Sequence, residues 1–264
     1  MRLMHATERE RVILAALAPS GFVALGQLEA RLGTSAATIR RDLTRMEAAG
    51  LLARVHGGAR LTDPNAPAVA EQLRLAGIPF EQAITRNLAA KQRIGRAAAA
   101  LCRPGEGVMI DGGTTTLQMC PHLEGLDCQV LTNSLHIVSA LLPQPGTRIL
   151  VPSGAVFREQ NIILAPAGED SMPRFHAPKL FMGAAAVGPR GVMQADVVLV
   201  AAERRLIDRA EQVILLVDHS KFASHSGAIV CALDEIDTIV TDRPLARDFV
   251  APVRAAGVKV VVAD

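Results

Sequence analysis

The 264-residue sequence predicts an α/β protein in two parts, a small helical head (residues 1–60) and a larger parallel-sheet domain (residues 80–264). In the head, three stretches carry apolar residues at helical spacing, and a short strand pair follows them. From residue 107 onward, apolar runs alternate with helical patterns, which is typical of a parallel α/β sheet. Residues 61–79 contain several prolines and show no period, which predicts a linker between the two parts.

The head begins with two predicted helices. The first spans Thr7 to Leu17, with Thr7 as its N-cap and Glu10 three residues later, as in a capping box. Phe22–Ala24 is short and extended. Leu25–Leu32 is the second helix, because leucines recur in it at three- and four-residue spacing.

A third helix follows a turn. Thr34 and Ser35 offer hydroxyl groups as N-caps, and Gly50 can end the helix in a left-handed conformation. Residues 51–56 then predict a strand, with its turn at Gly57 and Gly58. The apolar face of the helix comprises Ile39, Leu43 and Met46. The polar residues left on the exposed surface of the helix and the strand, which are candidate DNA contacts, are Thr34, Ser35, Thr38, Arg40, Arg41, Thr44, Arg45, Arg54 and His56.

Positive charge is concentrated in the head. Residues 1–60 contain nine arginines and five carboxylates, a net charge of +4, whereas the whole chain carries +2. Arginine pairs bidentately with guanine or phosphate, which lysine cannot do. A helix with several arginines is by itself usually a solvated helix. The basic head and the order helix, helix, turn, helix, hairpin together predict a winged helix-turn-helix that binds DNA.

Residues 23–59 resemble the DNA-binding domain of the DeoR family of bacterial transcriptional repressors, in VALGQLEARLGTSAA followed by TIRRDLTRMEAAGLLARVHGGA. Ala36 departs from the family, which often carries proline or glutamate there. The resemblance implies that the third helix reads a major groove of operator DNA. Arg40 and Arg41 would contact bases or phosphates, and Arg54 and His56 on the wing would contact the backbone or the minor groove. Because helix-turn-helix proteins generally bind as dimers, we expect a homo-oligomer, a dimer or a tetramer.

The second domain begins with a predicted alanine-rich helix over residues 80–101, whose apolar face would contain Ile84, Leu88, Ile94 and Ala98. The strands predicted after it are 108–111, 129–132, 147–152, 179–183, 212–218, 238–241 and 258–262. The helices predicted between them are 115–123, 134–142, 197–210 and 245–256.

Polar residues follow three of these strands at their carboxyl ends, where open α/β sheets bind ligands. One group is Asp111, Gly112, Gly113, Thr114, Thr115 and Thr116. A second group is Thr132, Asn133 and Ser134, and a third contains Lys221. Glycines let the backbone approach a ligand, and free N–H groups suit a phosphate. Taken singly, a glycine-rich turn or a surface lysine is an ordinary alternative, but together these groups predict a shared anion site.

The resemblance to the DeoR family extends into this domain through DGGTTT, LTNSL, FMG, AERRLI and VDHSKF, and DHSKF is similar to the glycerol-3-phosphate repressor branch. The family's effector domain resembles the sugar-phosphate isomerase and CoA-transferase fold. Its members typically release DNA when a phosphorylated sugar or polyol binds. The resemblance implies a phosphate on Gly112 to Thr116 with Asn133 and Lys221 nearby, and Glu203 as a partner for ligand hydroxyls. Its further implied effector contacts are Asp111, Thr132, Ser134, Gly154 and Gly183.

Several features bear on the ligand and leave its identity open. Pro152-Ser153-Gly154 stands where the family usually has a Gly-Gly pair, and the loop around Gln194 lacks the acidic residues often seen there. A salt-bridged surface glutamate is the alternative for Glu203.

Composition excludes other classes of protein. The chain has no apolar run of the ~18 residues that a membrane helix needs, and it lacks a secretory signal pattern, so we expect a cytoplasmic protein with no membrane partner. The spacing of the cysteines matches neither a zinc site nor a disulfide framework, which predicts buried thiols. We expect no cofactor, no metal and no catalytic residue.

The leading hypothesis is a repressor of a carbohydrate or polyol catabolic operon, released by a phosphorylated sugar or polyol. One alternative is a sugar-phosphate isomerase with a DNA-binding head, in which Asp111, Glu203 and Lys221 act as acid and base. Another is an activator, since operator position decides the sign of regulation.

Overall fold

The computed structural model describes residues 6–17, 22–49, 51–55, 57–60, 80–158, 160–164, 172–224 and 226–264. The chain divides into two compact units, Met1–Ala76 and Gly77–Asp264. The predicted linker, residues 61–79, lies outside the described residues and stays a prediction. Within the described part of the chain, no helix is long and apolar enough to cross a membrane.

The head has the predicted winged helix-turn-helix architecture. Its described helices are α1 (Ala6–Leu17), α2 (Leu25–Leu32) and α3 (Ala36–Ala48). Its strands β1 (Phe22–Ala24), β2 (Ala53–Val55) and β3 (Gly58–Arg60) form an antiparallel sheet in the order β1-β3-β2. The largest buried side chains of its core are Ile13, Leu17, Leu28, Ile39, Met46 and Leu52.

The local signals around α3 are confirmed at its start. Gly33 adopts a left-handed conformation (φ 56°) after α2, and the Ser35 hydroxyl accepts a hydrogen bond from the Thr38 N–H at 3.4 Å. The helix ends at Ala48, and the predicted stop, Gly50, lies outside the described residues. Gly58 belongs to β3 rather than to the turn, because it pairs with both neighbouring strands of the wing. A Cβ atom there would lie 2.2 Å from the Val23 carbonyl oxygen, so the glycine permits close strand packing.

The second unit is an α/β domain. Its helices are α4 (Phe80–Ala83), α5 (Leu88–Ala99), α6 (Leu135–Leu141), α7 (Val197–Ile207) and α8 (Arg247–Ala255), with 3₁₀ helices at Thr116–His122, His219–Phe222 and Leu233–Glu235. Its strands are β4 (Gly107–Ile110), β5 (Gln129–Leu131), β6 (Arg148–Leu150), β7 (Ala155–Phe157), β8 (Ile162–Leu164), β9 (Lys179–Met182), β10 (Ala186–Gly188), β11 (Gly191–Gln194), β12 (Gln212–Leu216), β13 (Ala228–Cys231), β14 (Thr238–Thr241) and β15 (Lys259–Val262).

Seven parallel strands form the main sheet in the order β15-β14-β12-β9-β4-β5-β6, as the alternating sequence pattern predicts. Helices cover both faces. Leu180 and Phe181 are neighbours on β9 but belong to different core clusters, because successive strand residues point to opposite faces. Leu206 of α7 belongs to the same core cluster as Leu180, and Ile94 of α5 belongs to that of Phe181. The carboxyl ends of the seven strands therefore share one edge.

Two small antiparallel sheets were not predicted from the sequence. Strands β7 and β8 form a hairpin, and β10, β11 and β13 form a three-stranded sheet. β7 is followed directly by β8, and β10 by β11, with no helix between them, so these pairs fall outside the strand–helix alternation that predicted the main sheet, and β7 is also largely exposed.

The prediction of one continuous helix over residues 80–101 is wrong. The chain leaves α4 at Ala83 and enters α5 at Leu88, and Asn87 between them adopts a left-handed conformation (φ 51°). Asparagine tolerates this conformation better than most residues. As a result Leu88 is 38% exposed, whereas Ile94 is buried.

All four cysteines are buried free thiols, as predicted. Burial raises the pKa of Cys102, Cys120 and Cys231 to about 12, which makes them poor nucleophiles and poor metal ligands near neutral pH.

A buried carboxylate links α1 to α3 in the head. Asp42 is 2% exposed and accepts hydrogen bonds from Arg9 Nε at 2.6 Å, Arg9 Nη2 at 3.0 Å and Arg45 Nη2 at 2.9 Å. Removing one partner of a buried pair leaves the other charge uncompensated.

We predict that Asp42→Ala lowers the free energy of opening of the head by about 3 kcal/mol. Amide hydrogen exchange of α3 in the full chain measures this quantity. The matched control is Glu47→Ala, which removes an exposed carboxylate of the same helix and is expected to cost less than ~1 kcal/mol. Equal effects of the two substitutions would contradict the role given to Asp42.

Candidate functional site

The exposed face of α3 presents two arginines that have no partner among the residues that the structure describes. Arg40 and Arg41 are exposed, and their guanidinium groups make no hydrogen bond or ion pair with any residue that the structure describes. Ile39, Leu43 and Met46 hold the opposite face in the core. The two arginines are therefore available to an external partner.

The other candidate DNA contacts are engaged within the head. Arg45 bonds Glu10 Oε1 at 2.7 Å as well as Asp42. Arg54 of β2 donates to the Thr44 hydroxyl at 2.6 Å, and its backbone N–H donates to Glu47 Oε1 at 2.8 Å. These bonds connect the wing to α3, so they position the two elements relative to each other.

The remaining predicted contacts lie at the start of α3 and on the wing. Ser35 and Thr38 share a hydroxyl–hydroxyl bond of 3.1 Å beside Thr34, and His56 lies outside the described residues. The DNA-contact roles of these residues stay predictions.

The loop after β4 is braced by its own threonine. The Thr116 hydroxyl is buried and donates to the carbonyl oxygens of Asp111 at 2.8 Å and Gly113 at 3.0 Å. Within the described structure, no acceptor is found for the backbone N–H groups of Gly113, Thr114 and Thr115. The loop thus holds three adjacent N–H groups in place for an acceptor such as a phosphate oxygen.

The neighbouring strand end supports this loop. Asn133 Oδ1 accepts a hydrogen bond from the Gly112 N–H at 3.1 Å. Thr132 and Ser134 are buried, and both hydroxyl groups are used within the protein. The Thr132 hydroxyl accepts a hydrogen bond from the Ser134 N–H, and the Ser134 hydroxyl caps α6. The main chain of Asn133 also binds β8 through the Ile163 N–H at 2.7 Å. Thr132 and Ser134 therefore act as supports in this structure, and Asn133 connects the two strand ends.

A third strand end presents Lys221. Asp218 Oδ1 accepts from the N–H of Ser220 at 2.9 Å and from its hydroxyl at 2.5 Å, which fixes the short helix that carries Lys221. Asp242 at the end of β14 holds the same helix through His219, whose bonds lower the pKa of that carboxyl although burial opposes them. Lys221 is half-buried rather than a surface lysine.

The structure adds a second lysine that was not predicted from the sequence. Lys91 of α5 is 3% exposed, and its ammonium group donates to the Ala83 carbonyl at 2.5 Å. Burial, together with the nearby charge of Lys221, lowers the pKa of Lys91 to about 8. The sequence does contain a signal, because Lys91, Ile94 and Ala98 are spaced on one helical stripe and a charge on a buried stripe is unusual.

Neither lysine lies within ion-pair distance of a carboxylate among the described residues. Burial lowers the pKa of Lys221 as well, although the charge of Asp218 opposes this, and Arg86 adds positive charge to both lysines. We name Lys91 and Lys221 the lysine pair. Two cations held together at low exposure form a site that an anion can stabilise.

Glu203 of α7 is buried, at 4% exposure, so the alternative of a salt-bridged surface glutamate is wrong. Its Oε1 accepts from Gln194 Nε2 at 2.5 Å, whereas its Oε2 has no hydrogen-bond partner among the described residues. Burial raises the pKa of Glu203 well above its usual range, and the charge of Asp111 raises it further. Burial also raises the pKa of Asp111 to about 6, opposed by bonds from Gly112 and Asn133.

Two glycines complete the predicted set. Gly183 follows β9, between the ends of β4 and β12, and a Cβ atom there would meet open space. Gly154 is exposed before β7. Next to Asn133 lies an open cleft, walled on one side by Ala202 and Arg205 of α7.

The segment that enters the domain, residues 80–91, is fastened to these strand ends. The Phe80 ring stacks on His136 of α6 with ring centroids 4.0 Å apart, two residues beyond Ser134. The Asn87 side chain donates to Asp218 Oδ1 at 3.0 Å, and Lys91 holds the Ala83 carbonyl. The chain arriving from the head therefore meets the candidate ligand site as soon as it enters the domain.

Comparison with known proteins identifies both units. Residues 9–65 match the DeoR-like helix-turn-helix domain, and residues 86–243 match the DeoR C terminal sensor domain. The chain belongs to the DeoR family. The resemblance stated from the sequence is confirmed at the level of the family, and the narrower one to the glycerol-3-phosphate repressor branch stays a prediction.

Full-length relatives are named as regulators. A putative aga operon transcriptional repressor of Escherichia coli O157:H7 is 30% identical over 99% of this chain and 95% of its own length. The HTH-type transcriptional regulator UlaR of Escherichia coli K12 is 29% identical over 98% of this chain and 99% of its own. The DeoR-family chain is accordingly a transcriptional regulator with a DNA-binding domain and a sensor domain, and not an enzyme.

Solved structures show weaker likeness. The sorbitol operon regulator SorC from Klebsiella pneumoniae is 12% identical with a TM-score of 0.37, covering 89% of this chain and 96% of that one. Ribose 5-phosphate isomerase A from Methanocaldococcus jannaschii is 14% identical with a TM-score of 0.38, covering 52% of this chain and 55% of that one. At these values neither likeness bears on function.

Proposed function

We propose that this DeoR-family chain represses a carbohydrate or polyol catabolic operon and is released from operator DNA by a phosphorylated sugar or polyol. The effector half of the proposal rests on the lysine pair, Lys91 and Lys221, neither of which forms an ion pair with a described carboxylate. The relative named as a repressor of the aga operon supports the sign of regulation.

The lysine pair favours an anionic ligand for an energetic reason. Burying an ammonium group costs free energy unless a hydrogen-bonded anion accompanies it. Lys91 has one described acceptor, the neutral Ala83 carbonyl, for three N–H donors. A negatively charged ligand offsets the free-energy cost of desolvating the two ammonium groups and reduces the repulsion between them.

A phosphate fits the remaining geometry. Its oxygens accept from several donors at once, and the loop after β4 offers the adjacent N–H groups of Gly113, Thr114 and Thr115. The ends of β4 and β12 are separated only by β9, so roughly 10 Å of sheet edge spans them at ~4.8 Å per strand. A small phosphorylated polyol can reach across this edge, with Asn133 and Glu203 beside its hydroxyl groups.

In the head, α3 is proposed to lie in the major groove. Arg40 and Arg41 would contact base edges or phosphates, while Arg45 and Arg54 hold the helix and the wing in register through the bonds described above. The proposed oligomer, a dimer or tetramer, would place two such helices on repeated half-sites.

Release of DNA needs a route from ligand to head, and we infer that residues 80–91 provide it. A phosphate competes with the Ala83 carbonyl for the Lys91 ammonium group, and it also alters the charge next to Asp218, which holds Asn87. Both hydrogen bonds, from Lys91 to Ala83 and from Asn87 to Asp218, lie where the chain from the head enters the domain. A ligand changes the populations of two arrangements of this segment only to the extent that it binds one of them more tightly than the other.

For DNA binding, we predict that Arg40→Ala and Arg41→Ala each weaken binding at least about tenfold, since a bidentate arginine contact contributes roughly 1–3 kcal/mol. The measurement is an electrophoretic shift titration with a duplex that the full chain selects from a random-sequence pool. The control is Arg31→Ala, which removes an exposed arginine in the last turn of α2 rather than on α3. Unchanged DNA affinity in both α3 variants would contradict the proposed role of α3 in binding the major groove.

For the effector site, we predict that a phosphorylated sugar or polyol raises the melting temperature of the full chain by several degrees, because a ligand at ~100 times its Kd stabilises by about 2.7 kcal/mol. Lys221→Ala and Lys91→Met should remove this shift. Thermal-shift screening with phosphorylated compounds and their unphosphorylated parents measures it.

The matched control for the lysine variants is Lys259→Ala, an exposed lysine at the amino end of β15 and hence at the opposite edge of the sheet. This variant should keep the shift. A shift produced by unphosphorylated sugars alone, or one that survives in both site variants, would overturn the phosphate site.

A further inference from the structure

The cleft beside Asn133 combines an apolar lining with one arginine. Asn133 and Arg205 are the polar residues that line it. The other lining residues are apolar, Ile163 and Met172 among them. Asn133 is already engaged, because its Oδ1 accepts a hydrogen bond from the Gly112 N–H at 3.1 Å. Arg205 therefore gives the cleft its positive charge.

The guanidinium group of Arg205 has no acceptor in the part of the chain that the structure describes. Arg205 is partly buried, and its carbonyl oxygen accepts a hydrogen bond from Arg209. Its neighbour Arg204, by contrast, is paired with Asp208 at 2.9 Å and with Glu235 at 2.6 Å. A guanidinium group has five N–H donors, and the strongest hydrogen bonds that it makes are those to anions. An apolar lining strengthens such bonds, because the local dielectric constant is lower there than in water.

The cleft and the lysine pair lie on opposite sides of the loop after β4. Lys221 follows β12, which is two positions from β4 in the sheet, and Asn133 follows β5, which is next to β4 on the other side. One strand spacing of ~4.8 Å separates β4 from β5. The buried carboxyls of this edge, Asp111 and Glu203, are not among the lining residues of the cleft. Arg205 is two residues beyond Glu203 and thus about 200° around the axis of α7 from it.

We propose that Arg205 is a specificity-determining residue that binds a second anionic group of the effector, a carboxylate or a second phosphate. One phosphate would occupy the loop after β4 and the lysine pair, and the ligand would extend past Asn133 to place its other anion in the cleft. Guanidinium groups pair bidentately with carboxylates and with phosphates, so Arg205 fits both. This inference rests on the proposed phosphate site and narrows its ligands to phosphorylated sugar acids and bisphosphates.

The test compares phosphorylated compounds that differ only at the end opposite the shared phosphate. Glucitol 6-phosphate, which ends in a hydroxyl group, is compared with 6-phosphogluconate and with glucitol 1,6-bisphosphate by isothermal titration calorimetry on the full chain. Glycerol 3-phosphate and 3-phosphoglycerate form a shorter pair. At least one compound with a second anionic group should bind the wild-type chain at least about tenfold more tightly than its hydroxyl counterpart. Whether the acid or the bisphosphate shows this preference identifies the second anion.

Three variants assign the preference to a residue. Arg205→Ala should weaken binding of the preferred compound at least about tenfold more than binding of its hydroxyl counterpart. Arg205→Lys keeps the charge without the bidentate geometry, so it should retain part of the preference. The matched control is Arg254→Ala, which removes an exposed arginine in the last turn of α8 that does not line the cleft. This control should retain the full preference.

Four results would contradict the proposed role of Arg205. Hydroxyl compounds that bind the wild-type chain as tightly as their counterparts, or compounds with a second anion that all fail to bind, overturn it and leave the phosphate site intact. An equal loss of affinity for all compounds in folded Arg205→Ala overturns it as well, because the arginine would then contact the phosphate that they share. A preference that survives in Arg205→Ala assigns the second anion to another residue. If only unphosphorylated sugars bind, the proposed function fails too.

Discussion

The burial of Lys91 and the partial burial of Lys221 near it are the constraint on which the proposed ligand site depends. Both ammonium groups are withdrawn from water, and burial lowers the pKa of each. The core of the domain holds them there, because Lys91 lies on the buried stripe of α5 and Asp218 and Asp242 fix the helix that carries Lys221. The fold thus keeps two cations close together at a cost that a bound anion can reduce.

In the head, by contrast, most charged groups near α3 are paired with one another. Asp42 binds two arginines and Glu47 and Thr44 bind Arg54, so most polar groups near α3 are committed to holding the wing and the helices together. Arg40 and Arg41 remain without partners in the described structure. The paired charged groups fix the position of α3, and the two unpaired arginines are available to contact a binding partner.

Much of this arrangement could be predicted from the sequence, since it depends on local signals. The cap at Ser35, the left-handed Gly33 and the apolar runs of the main strands are each encoded within a few residues. The break at Asn87 was not predictable in this way, because its side chain is stabilised by Asp218, which lies 131 positions away. Lys91 was missed for a related reason, since an alanine-rich helical pattern does not reveal which lysine the tertiary structure buries. The unpartnered Oε2 of Glu203 likewise appears only when α7 is packed against the sheet.

We propose that ligand binding in the sensor domain and DNA binding by the head are one linked equilibrium. Linkage requires the effect to be reciprocal, with typical coupling factors of about 5- to 150-fold. The most direct measurement is the Kd of the full chain for a phosphorylated compound that raises its melting temperature, by calorimetry, with and without a saturating amount of the selected duplex. We expect the duplex to weaken ligand binding by the same factor by which the ligand weakens duplex binding. A ligand affinity that is identical in the two conditions would contradict it.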